Sequence, residues 1–318
     1  MLSAVLLLVL SFSQISFSLK ESPSHDESSS NRCGSYTDSS ILFPEDEKSH
    51  HMLEDGWYVT AHLYTEDGTY YGAEWGFTKL YTGEVPTTQS NFILYTPEKY
   101  HHVAQMLDFE LEETDGEFSL DFGDVQGYGK DETYKFYGSV DEFELSIDIN
   151  PLKAPFIFYN NGHIDYHFRG SLDSYARTAN QISGTLKTPD GVFVVKGQGY
   201  YEHTFDEGWD WFNLVLDDGS EIVISMIRLN NYLWVFDQNC IKTEYEFEIE
   251  VNRTWVSRQT NCQYAVEWTV TFDNKSYSLK PIYDNGEVFE KSGIRYVVPI
   301  TVSGAGTGRG FMETFGTC

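Results

Sequence analysis

Gly197 to Leu229 reads GQGYYEHTFDEGWDWFNLVLDDGSEIVISMIRL. Large apolar residues and polar ones alternate along it with the period of a strand rather than a helix. From Gly199 to Phe205, Tyr201, His203 and Phe205 share one face, and Tyr200, Glu202 and Thr204 share the other. Asp206-Glu207-Gly208 supplies a turn. After it, Trp209, Trp211, Asn213 and Val215 fall on one face, and Asp210, Phe212, Leu214 and Leu216 on the other. Asp217-Asp218-Gly219 turns the chain again, and a strand from Glu221 to Leu229 runs back. Ionisable groups set among such neighbours have shifted pKa values, the condition that acid–base catalysis uses, which points first to Asp210 and His203.

The same rhythm extends in both directions. Strand-like runs begin at Trp57 and recur to Phe315, punctuated by Glu66-Asp67-Gly68, Asp115-Gly116, Asn161-Gly162 and Asp190-Gly191. Only Pro97 to Leu107, with His101 and His102, reads as a helix. Aromatic residues make up 16% of the 318, with 22 Tyr, 22 Phe and only nine Pro, which indicates an all-β protein with an aromatic interior. Trp57 leads a strand, a Glu-Asp-Gly turn and a return strand; Trp209 leads a strand, an Asp-Asp-Gly turn and a return strand. This echo predicts two related β domains, 49–186 and 187–318. Ahead of them, residues 19–48 form a flexible, acidic, Ser-rich segment.

Residues 1–18 read as a secretory signal peptide, with an apolar Leu2–Leu10 core and small residues at Ser16 and Ser18. No other run has transmembrane length, so no membrane insertion is expected and the protein is placed outside the cell or in the secretory lumen. Asn252-Arg-Thr and Asn274-Lys-Ser fit glycosylation acceptors. The excess of 49 Asp and Glu over 21 Lys and Arg argues against nucleic acid as a partner. Four cysteines in a secreted chain suggest two disulfides; Cys240–Cys262 and Cys33–Cys318 are the favoured pairing of the three possible. No cysteine spacing indicates a metal, and His50-His51 and His101-His102 lack a third ligand at useful spacing, so no metal or cofactor is expected. Gly304 to Gly310 lacks the Lys-Ser/Thr and the helix of a phosphate loop and reads as a glycine-rich linker.

Tyr200-Tyr-Glu-His203, Gly208-Trp-Asp-Trp-Phe212, Leu216-Asp-Asp-Gly219, Arg228 and Gly310-Phe-Met-Glu313 together resemble the hydroxyneurosporene synthase/AttH group. That group includes carotenoid 1,2-hydratases, kievitone hydratase and lipocalin-like fungal Diels–Alderases. Trp57-Tyr-Val-Thr-Ala-His-Leu63 with Tyr71-Gly-Ala-Glu74 resembles its N-terminal block. The resemblance implies two tandem lipocalin-like antiparallel β-barrels packed side by side, with an apolar pocket between them. It also implies a cofactor-independent lyase or hydratase acting on an isoprenoid or prenylated hydrophobic molecule. A polyene cyclase or isomerase and a non-catalytic carrier are the alternatives. Protonating an alkene needs a neutral acid and aromatic faces to stabilise the cation. Trp209, Trp211, Tyr201 and Phe205 are the expected aromatic wall, with Glu74 and Trp75 opposite, and Arg228 is expected to balance Glu202 or Glu313. Where the carotenoid hydratases carry protonating Tyr and Asp residues, this chain has Ile224-Ser-Met-Ile227, which moves the burden to Glu202, His203 and Asp210.

Overall fold

The structure is a computed structural model that describes residues 40–50, 54–80, 86–108, 117–130, 132–159, 161–165, 171–205, 210–227, 230–290 and 293–318. Its described strands fall into two antiparallel sheets, one of 12 strands and one of 10. The first holds β1 (Glu54–Thr65), β2 (Tyr70–Leu80), β3 (Thr87–Tyr95), β4 (Tyr100–Asp108), β5 (Glu117–Asp121) and β6 (Val125–Lys130). It continues with β7 (Thr133–Val140), β8 (Phe143–Pro151), β9 (Phe156–Ile157), β10 (His163–Asp165), β11 (Ser171–Thr188) and β12 (Gly191–Phe205). The second holds β13 (Asp210–Leu216), β14 (Glu221–Ile227), β15 (Asn230–Phe236), β16 (Lys242–Glu244) and β17 (Glu248–Val256). It ends with β18 (Gln263–Phe272), β19 (Lys275–Pro281), β20 (Glu287–Glu290), β21 (Gly293–Gly304) and β22 (Gly308–Thr314).

The two sheets share one wiring. In each, a four-strand meander pairs through its first strand with the sheet's last strand: β4-β3-β2-β1-β12-β11 in one, β16-β15-β14-β13-β22-β21 in the other. This is the structural counterpart of the echo between the Trp57 and Trp209 hairpins. Each sheet curls around its own apolar core as a lipocalin-like half-barrel. Trp57, Val59, Ala61 and Leu63 of β1 enter the first core, and Phe212, Leu214 and Leu216 of β13 enter the second. Burying these side chains stabilises the fold by roughly 1.5–3 kcal/mol each. The opposite faces of the central strands meet in a third cluster, where Tyr200 and Trp211 pack with Phe156, Phe158 and Trp234. Tyr95 also crosses from the first sheet, donating its hydroxyl to Val297 O.

Several expectations need correction. The sheet changes between Phe205 and Asp210, not at 186/187, because β12 pairs with β1 over ten residues. Residues 97–107 form no helix: Tyr100–Asp108 is β4, in register with β3, so pairing with a strand overrides the local pattern. Cys262 is bonded to Cys318, which excludes both favoured pairings; a Gln263↔Thr317 bridge brings the chain's last residues alongside β18. Cys240 is also disulfide-bonded, and Cys33 lies outside the described residues. Gly304 to Gly310 is no linker: it holds the end of β21, a hairpin connection at 305–307 and the paired start of β22. Residues 40–48, placed in the flexible segment, pack against the first sheet. Ile41 joins the first core, and a 3₁₀ turn at Glu45–Glu47 brings Glu47 to Tyr134 (2.6 Å), Tyr175 (2.9 Å) and Arg177 (3.1 Å).

Candidate functional site

β12 is the strand on which the site is built. It can lie close against β1 because positions 197 and 199 are glycines: a Cβ on Gly197 would sit 1.7 Å from His62 O, and one on Gly199 2.3 Å from Thr60 O. Alternation then divides its side chains. Tyr201 and His203 turn into the first barrel, while Tyr200 and Glu202 turn towards the second. Tyr58 and Thr60 of β1 and Glu74 of β2 face the same way. Trp211 and Asn213 of β13, Val297 of β21, and Phe311 to Glu313 of β22 come from the other sheet. Between them lies a cleft of about 630 Å³, counting the solvent at its open side. Glu54, Glu74, Glu202 and Glu313 are among its lining residues.

Glu202 is buried at 3% exposure, and its Oε2 accepts the Tyr200 hydroxyl. Burial, reinforced by the nearby Glu313 charge, pushes its carboxyl up to about 8, while hydrogen bonds from Tyr200 and Thr204 pull it partly back. At neutral pH it is therefore mainly a neutral acid. Arg295 spans the cleft, bonded to Glu74 Oε1 on the first sheet (2.8 Å) and Glu313 Oε2 on the second (2.8 Å). At the floor, Thr60 Oγ1 donates to Asn213 Oδ1 at 3.4 Å, another bond between sheets. His62, next along β1, has its imidazole pushed down to about 3 by burial and by Arg309, and stays neutral.

The structure thus brings together Glu202, Glu74 and Trp211 of the expected residues. His203, Tyr201 and Trp75 lie within the first barrel instead. His203 is fully buried, stacked on Trp57 at 4.5 Å, with Nε2 2.9 Å from Asp55 Oδ1 and Nδ1 3.0 Å from Asp46 O. Asp210 lies at the start of β13, where Oδ1 accepts the Phe315 N–H at 2.8 Å; burial raises its pKa. Trp209, Arg228 and the Phe205 side chain lie outside the described residues. Asn252 and Asn274 are exposed, the latter at the β18–β19 turn. Sequence reasoning missed Tyr58, Asn213 and Arg295. Tyr58 and Asn213 could have been found by reading the polar face of their strands as inward. Arg295 carried only the weak signal of a charge inside the apolar run Ile294–Ile300. A group of metal-type donors also forms away from the cleft: one atom each of His50, Asp55 and His203, all within 4.8 Å of one another.

Comparison with known proteins follows the fold. The profile of the AttH-like family matches residues 35–317. The crystal structure of an AttH protein from Nitrosomonas europaea is similar with a TM-score of 0.79 at 20% identity, over 86% of this chain and 95% of that one. Kievitone hydratase from Nectria haematococca is similar with a TM-score of 0.72 at 12% identity, over 90% of this chain and 95% of that one. At these identities the likeness is one of fold. Among the curated proteins no sequence matches significantly.

Proposed function

Because the chain belongs to the AttH-like family, we propose that it is a cofactor-independent hydro-lyase that adds water to, or removes it from, an alkene of an isoprenoid or prenylated small molecule. The observation that carries this reading is Glu202: a carboxyl kept protonated at neutral pH, in the wall of an apolar cleft, beside a tyrosine hydroxyl. In the hydration direction Glu202 gives its proton to one alkene carbon. The cation left on the other carbon is stabilised by the faces of Trp211 and Tyr58 and by the surrounding carboxylates. Water then forms the new C–O bond and passes a proton to Glu313, leaving an alcohol; proton exchange with solvent restores Glu202 and Glu313.

That a hydratase shares the fold adds weight. The disulfide fits an oxidising compartment, in keeping with a secretory route.

The test is incubation of the purified protein with prenylated phenolics and linear isoprenoids in heavy-oxygen water, with products read by mass. A product carrying one heavy oxygen is expected, lost in Glu202→Gln while ligand binding persists. An isomer of unchanged mass would replace hydration by cyclisation; binding without turnover would make the protein a carrier.

A further inference from the structure

Asp46, at the 3₁₀ turn of the 40–50 segment, fixes two imidazoles at once. Its backbone carbonyl lies 3.0 Å from His203 Nδ1, and its carboxylate Oδ1 lies 3.1 Å from His50 Nε2. A carbonyl or carboxylate oxygen can only accept here, so each of those nitrogens carries the ring proton. As neutral rings bound to a cation, the remaining nitrogens, His203 Nε2 and His50 Nδ1, present lone pairs; with no cation, His203 Nε2 at 2.9 Å from Asp55 Oδ1 carries a proton that it donates. Both point to the same oxygen, Asp55 Oδ1, at 2.9 and 4.0 Å. The other carboxylate oxygen, Oδ2, is held by the His50 backbone N–H at 2.7 Å. Three lone-pair donors therefore converge, each oriented through its far atom. This is the outer-shell arrangement that sets histidine and carboxylate ligands around a metal. Asp55 and His203 are fully buried and His50 is 20% exposed, so the convergence point is shielded from bulk water on the barrel side. Lys79, the register partner of Asp55, turns its ammonium to Ser49 Oγ.

We propose that His50 Nδ1, Asp55 Oδ1 and His203 Nε2 bind one divalent transition-metal ion of the zinc class, which pins the 40–50 segment to β1 and β12. Two imidazoles and one carboxylate suit zinc or cobalt rather than calcium or magnesium. Chain spacing gave no hint of the site because its ligands lie on the N-terminal segment, on β1 and on β12. The ion stands apart from the cleft but shares β12 with it, since His203 and Glu202 are neighbours pointing to opposite faces.

The test uses the full chain with any affinity tag removed. Protein stripped with chelator is titrated with Co²⁺, following visible absorption and melting temperature. The expected result is one Co²⁺ per chain with ligand-field bands, and a rise in Tm of about 5 °C or more that chelator reverses. His50→Gln, at the exposed edge of the group, keeps the fold and weakens binding by more than the roughly 10- to 100-fold that loss of an outer-shell partner costs. Glu202→Gln leaves the stoichiometry unchanged. The proposal is overturned if the folded wild type binds no stoichiometric Co²⁺ and its Tm ignores both ion and chelator, which would make His203–Asp55 a plain imidazolium–carboxylate pair. Unaltered binding in His50→Gln overturns it equally.

Discussion

At the scale of single residues, Glu202 sets both the chemistry and a pH signature. Its folded pKa stands near 8 against an ordinary value of 4.5, so the folded chain keeps a proton that the unfolded chain releases. Stability therefore falls as pH rises from about 4.5 through 8 and levels off beyond it; the loss amounts to a few kcal/mol, roughly. Glu221, pushed up to about 7 by burial, acts in the same direction. Glu202→Gln should thus flatten, without abolishing, the decline of melting temperature between pH 5 and 9, and should raise the Tm at the alkaline end. A variant that melts like the wild type at every pH would mean that Glu202 is ionised in the folded protein. Activity should fall as pH passes about 8, when the proton donor is lost. The division of Glu202 and His203 onto opposite faces was legible in the alternation around them. Which face meets the cleft was not, because Tyr200 and Tyr201 make both faces look like core, and only the packing of a second sheet separates them.

Among the elements, β12 was legible as a strand, but its partner was not: β1 lies well over a hundred residues away, and local pattern does not encode such pairing. The glycines at 197 and 199 were the only trace of it, since a strand interior tolerates glycine poorly unless another backbone comes close. Gly197→Ala should separate β12 from β1 at His62 and destabilise the fold by about 3 kcal/mol, read as a lower urea midpoint. An unchanged midpoint would show that the two strands lie further apart than described. Residues 97–107 were misread as a helix because Pro97 opens that stretch and Val103 to Leu107 has no strict alternation. Once β3 offers a paired edge, hydrogen bonding decides the matter.

Across the whole molecule, Arg295 is one of the ionic ties between the half-barrels, and Lys153 with Glu221 at 2.8 Å is another. Replacing it by Gln leaves Glu74 and Glu313 facing the interface without their counter-charge, at a cost of about 3–5 kcal/mol. Limited proteolysis between the sheets and a lower Tm would reveal it; resistance equal to that of the wild type would show that the halves are held by the other contacts between them, Lys153–Glu221 included. Cys318→Ser should cost about 2–5 kcal/mol by releasing the strand end beside β18. The tandem arrangement was legible from the Trp57 and Trp209 echo. The interface was not, because a polar side chain facing a neighbouring barrel reads like one facing water. The shared wiring also carries a cost in time. The middle of the first sheet is closed by joining β1 to β12, its earliest strand to its latest. As the chain emerges from the ribosome, the β1–β4 meander must wait with the β1 edge unpaired while the intervening strands are made. Long-range closure of this kind folds in milliseconds to seconds rather than microseconds, and an open edge is where neighbouring chains can stick. Yield in the cell should therefore depend on how long β1 waits for β12, and a chaperone that covers strand edges would be expected to raise it.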